Sequence, residues 1–171
     1  MKKSRLVWFD IALSAIAASL LIAVQVALSF IPNVELVSLL VIIYSIHLKA
    51  KTLYAIYIFA LVEGLIYGFG VWWIMYLYVW TVLYFIARFF SFITSCVGWA
   101  VISGLFGLLF GALCSIPYFF ILGFGGGIAY FISGIPFDFL HCAGNFVTAL
   151  ALFTPINFAM GKLMSLYRAY L

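Results

Sequence analysis

The chain of 171 residues is 69% hydrophobic and 7% charged, with a mean hydropathy of +1.34, whereas soluble domains carry about 25% charged residues. That composition excludes a water-soluble globular domain and predicts an all-α polytopic membrane protein, one integral membrane domain over residues 1–171. The net charge of +4 rests on a few scattered basic residues, which read as membrane boundaries, and no nucleic-acid partner is expected.

The N-terminal MKKSR followed by an apolar run containing Ala15-Ile16-Ala17 imitates a cleavable signal peptide. Asp10 interrupts the would-be apolar region, and the 24 uncharged residues from Ile11 to Val34 suffice for a full span. Span one is therefore a retained helix over about Val7 to Phe30, ending at Ile31-Pro32-Asn33, where proline disfavours helix in the residue before it. Span two, about Glu35 to Leu48, is short, which implies bending or shielding by protein. Lys51 and Arg88 enclose 36 residues whose only charge is Glu63, and Gly68 to Gly70 divides them into spans three and four.

Arg88 to Asp138 encloses 49 uncharged residues. Only six spans put every basic residue (Lys2, Lys3, Arg5, Lys49, Lys51, Arg88, Lys162, Arg168) on the side of the N-terminus, as the positive-inside rule asks. Span five is then placed near Val97 to Leu122, a Gly-rich outer loop reaches Ile135, and span six runs near Phe137 to Leu163. Both termini are expected to be cytoplasmic.

In that topology the polar outliers converge on the outer half. Glu35 opens span two, Glu63 sits late in span three, and Asp138, His141 and Asn145, at i, i+3 and i+7, share one face of span six. Polar side chains in lipid-grade sequence are costly and point by default to a functional site, read here as a ligand pocket. Each has a plainer reading too. Asp138 in a first turn suits a helix cap, and Glu63 suits a structural carboxylate. Asn145 lies deeper, where capping does not explain it, and is the firmest expected ligand contact. Trp73, Tyr76 and Trp80 share a face and suit stacking on a flat ring, although an interfacial aromatic belt draws on the same residues.

The three cysteines, Cys96, Cys114 and Cys142, lack CxxC spacing, and Cys142 points away from the face of Asp138 and His141, so neither a disulfide framework nor a metal site is expected. Ser133-Gly134 lacks the G-x-S-x-G setting of a serine hydrolase. Small-residue pairs occur as Ser14 with Ala18 and Ala15 with Ser19 on span one, and as Gly64 with Gly68 and Gly107 with Gly111. The glycine pairs read as internal packing, the span-one pairs as an external surface.

Six short spans with basic inner ends, the segment IALSAIAAS, the turn IPNVELVSLLVIIYS and the segment GIPFDFLHCAGNFVTALALF together resemble the substrate-binding S components of energy-coupling factor (ECF) transporters, over nearly the whole chain. The resemblance implies a non-catalytic vitamin or micronutrient uptake subunit in a bacterial cell membrane, without cofactor and without an ATPase motif of its own. It also implies ligand capture at the outer face, here by Asn33, Glu35, Glu63, Trp73, Tyr76, Trp80, Asp138, His141 and Asn145. Small residues on span one would dock a transmembrane coupling subunit driven by two ATPases. Ala12, Ala15, Ala17, Ala18 and Ser19 match that surface, the serine departing from an all-alanine pattern. Within the family, the aromatic outer face points to a ring-containing vitamin, with a cobalamin-type ligand preferred. The alternative is a stand-alone proton-coupled carrier or intramembrane enzyme using Glu63, Asp138 and His141.

Overall fold

Six helices follow one another in chain order: α1 (Lys2–Leu28), α2 (Val37–His47), α3 (Lys51–Tyr67), α4 (Val71–Phe89), α5 (Cys96–Ile121) and α6 (Gly123–Ala169). The computed structural model describes residues 2–31 and 33–169, apart from the side chains of residues 2–7 and 168. The expected break at Pro32 and the side chains of Lys2, Lys3, Arg5 and Arg168 fall outside the described residues. Among the described residues there is no strand, and α1, α4, α5 and α6 are long and apolar enough to cross a membrane. Large apolar side chains cover the outside, with Phe120 85%, Phe89 75% and Leu65 68% exposed, a surface suited to lipid and a liability in water.

α2 lies where the second span is expected and, as its length implies, is shielded by protein. At 11 residues it is about 16 Å long, well short of a hydrocarbon core of about 30 Å. It survives because it is wrapped: every residue from Val37 to Ser45 is buried, with α4 and α6 as its main neighbours. The connection before it descends into the bundle. Asn33, held at φ 59°, brings its carbonyl so close to Gly144 of α6 that a Cβ there would collide with it. Gly144 lies 21 positions after Gly123 at the start of α6, or about 32 Å along a straight helix. A recess is thereby left above the connection.

The Gly-rich segment before span six is not a loop. Residues 123–135 form the first turns of α6, a continuous helix of 47 residues that follows α5 after the single residue Leu122. Glycine's modest helix penalty is outweighed because unpaired backbone groups are far costlier in apolar surroundings. The missing side chains also serve packing, since a Cβ at Gly127 would strike the ring of Phe119 on α5. Only Gly123, at φ 72°, needs the left-handed region to turn the chain.

α5 and α6 form the most extensive helix pair. Gly104, Gly107 and Gly111 line one face of α5, and Cβ atoms on them would meet Phe146 and Cys142, the backbone of His141, and the carboxylate of Asp138 respectively. The expected Gly107–Gly111 pair is thus an internal seam of the small-residue kind that governs packing between apolar helices. Pro117 in α5 has no N–H to offer the carbonyl of Leu113, and the Tyr78 hydroxyl of α4 donates to that carbonyl at 2.6 Å.

The opposite end is fastened by polar contacts. Asp10 of α1 accepts from Lys51 of α3 and from Tyr167 of α6, each at 2.5 Å. His47 meets Asn157 at 2.8 Å, and Arg88 donates to the Ser45 carbonyl at 3.3 Å. Lys51 and Arg88 therefore gather at one end of the bundle, away from the recess.

Candidate functional site

The recess above the α1–α2 connection is a cavity of about 210 Å³. Its polar wall is Gln25 of α1, Asn33 and Glu35 of the connection, and His141 of α6; its aromatic wall is Tyr76 and Trp80 of α4 with Phe110 of α5. Glu35 caps α2, its Oε2 accepting from the Ser38 backbone N–H at 2.8 Å, as a carboxylate near a helix N-terminus should. Its Oε1 faces His141 Nε2 at 3.4 Å, a loose contact for an N–H···O bond. The His141 ring is itself steered by Phe110, edge to face with centroids 4.8 Å apart.

A second hollow of about 310 Å³ adjoins the first, sharing Asn33 and Phe110. Asp138, Cys114, Tyr130 and Ser133 also line it. Asp138 is not in a first turn. It lies 15 positions into α6, where it accepts from the Gly111 N–H of α5 at 2.9 Å, so the capping reading is replaced by a bond across the seam. Gly111 permits this bond, because any side chain there would occupy the carboxylate's place.

Of the expected ligand contacts, Asn33, Glu35, Tyr76, Trp80 and His141 meet around the first hollow and Asp138 faces the second. The other three line neither. Asn145 is wholly buried, its Nδ2 donating to Ser38 Oγ at 3.2 Å and to the Ser103 carbonyl at 3.4 Å. It ties α2, α5 and α6 together one level below the recess, because α2 starts deep enough to bring Ser38 against it. Trp73 donates its indole N–H to the Ala60 carbonyl at 2.8 Å, bracing α4 on α3. Glu63 is 2% exposed within α3, so the triad of Glu63, Asp138 and His141 needed for proton chemistry is not assembled in one hollow.

Gln25, Phe110 and Tyr130 were missed from the sequence. Gln25 was legible, being the one amide between Val7 and Phe30 of span one. Phe110 and Tyr130 carry no signal that separates them from other aromatics. Among the described residues, no three His, Cys, Asp or Glu side chains come together as a metal site.

On the span-one surface the small residues divide. Ala12, Ala15 and Ser19 are exposed along one stripe, whereas Ala17 and Ala18 are 3% and 0% exposed. Ala18 is therefore removed from the expected docking surface, because α1 turns that side onto the bundle. Ser19 remains outside at little cost, its hydroxyl donating to the Ala15 carbonyl at 2.9 Å.

The fold and the hollows define a helical protein with four helices fit to cross a membrane and an open recess walled by aromatic rings, carboxylates and an imidazole. No family model, curated protein or solved structure matches the chain.

Proposed function

We propose that the chain is a substrate-binding S component of an ECF-type transporter. It is a non-catalytic membrane subunit that takes up a vitamin-like small molecule and delivers it through a coupling subunit driven by two ATPases. In this reading the polypeptide passes the cell membrane six times, α2 crossing only within its sheath of other helices, and both termini are cytoplasmic. The observation that carries the reading is the recess itself, in which rings of α4 and α5 face hydrogen-bonding groups of α1, α6 and the α1–α2 connection. Such a mixed apolar and polar concavity suits a small molecule. The exposed stripe of Ala12, Ala15 and Ser19 supports close approach of a partner helix.

The size of the recess sharpens the ligand. A hollow of about 210 Å³ with a neighbour of about 310 Å³ favours one or two flat rings over a cobalamin-type corrin, which is far larger than either. Co-expression with an ECF coupling subunit and its two ATPases tests the reading. The complex is expected to purify intact and to accumulate a vitamin in vesicles only with ATP. A protein that never associates with such a module, and whose purified preparations carry no small molecule by mass spectrometry, would not be an S component.

A further inference from the structure

The charge around the two hollows is one-sided. Glu35 and Asp138 line them, His141 is the one basic side chain, and among the described residues neither Lys nor Arg reaches either wall. The lining sets two carboxyl groups against one imidazole. Glu35 is already engaged by Ser38 and His141, whereas Asp138 uses only Oδ1, toward Gly111, and no described residue donates to its Oδ2. Asp138 is 6% exposed, and the face it does expose belongs to the second hollow. Tyr130 of that hollow stacks on Tyr118 with centroids 3.9 Å apart, a fixed π face beside the carboxylate. In the first hollow Trp80, 2% exposed, contributes to the aromatic wall with Tyr76 and Phe110.

We infer that the occupant is a cationic, nitrogen-containing aromatic ring. Its ring lies along Tyr76, Trp80 and Phe110, and its positive group sits in the second hollow against Asp138 and Tyr130. Carboxylate and phosphate ligands are disfavoured, because they would bring like charge against two carboxylates with the His141 imidazole as the one basic group to offset them. A cation gains from the carboxylate and from the aromatic faces together. This rests on reading the recess as a ligand site and narrows its substrate class.

The test uses the full-length protein in nanodiscs and one ring with three charges: 3-(aminomethyl)pyridine, pyridine-3-carboxamide and pyridine-3-carboxylate, titrated against tryptophan fluorescence. Affinity is expected to fall in that order, with roughly tenfold or more between the first and the last. Asp138→Asn is expected to abolish the order, and Glu63→Gln, outside both hollows, to keep it. Equal or tighter binding of the carboxylate, no saturable binding of the aminomethyl compound, or an unchanged order in Asp138→Asn would each overturn the inference. Should Asp138→Asn fail to fold, the charge of the molecule that co-purifies with the unaltered protein decides the matter, an anion counting against it. The transporter reading fails separately: a protein that keeps the charge order but never joins a coupling subunit retains the ligand class and loses the proposed assembly.

Discussion

Two helices carry small residues at helical spacing, and they do opposite things. On α5, Gly104, Gly107 and Gly111 are pressed against the backbone and side chains of α6, and this contact sets the register that aims Asp138 and His141 at the hollows. On α1, the comparable stripe of Ala12, Ala15 and Ser19 faces outward, while Ala17 and Ala18 face in. Small residues permit close approach wherever they lie, but they do not choose the partner. What separates the two stripes is that a polar helix face waits opposite the first, whereas the bundle leaves the second uncovered.

The largest expected effect follows from filling the occupied stripe. Gly107→Leu would drive a side chain into the His141 backbone, which has no rotamer to move, at a cost on the order of 3 kcal/mol or more. The measure is the yield and melting temperature of the detergent-solubilised protein, and a variant that melts like the parent would mean the seam is not close-packed. On α1 the contrast is internal to one helix. Ala18→Leu should destabilise by about 1–3 kcal/mol through overpacking, while Ala15→Leu, on the exposed stripe, should change stability by less than about 0.5 kcal/mol. Ala15→Leu should nevertheless abolish association with a coupling subunit. Equal melting losses in both would place the Ala15 side inside as well.

Asn145→Ala tests the level beneath the recess. Loss of the bonds to Ser38 and Ser103 should lower stability by about 1–3 kcal/mol while leaving the affinity of the surviving protein near that of the parent, reversing the role the sequence suggests. Affinity lost tenfold at unchanged melting temperature would return Asn145 to the ligand site.

Much of the helix inventory was legible. The boundary near Gly68 to Gly70 follows from glycine and charge spacing, and α5, expected from about Val97, starts at Cys96 after Ser95, whose hydroxyl accepts from the Gly98 N–H. The glycines at 125–127 misled, since their loop preference holds in water and not where each unpaired amide meets hydrocarbon. The candidate site was legible in part for the same reason. Costly polar residues stand out in apolar sequence, so Glu35, Asp138 and His141 were visible, but Asn145 stood out equally and belongs to the packing below.

By itself the sequence determined that this chain is helical and suited to lipid, where the earlier helices divide, and which few side chains are too polar to lie there idle. These are properties of local composition, and hydropathy carries them residue by residue. Only the tertiary structure decided which of those side chains meet. The descent of the α1–α2 connection onto Gly144 and the glycine seam between α5 and α6 set the depth and rotation of each helix, and a shift of one position would aim the same residues elsewhere, since successive side chains on a helix lie about 100° apart.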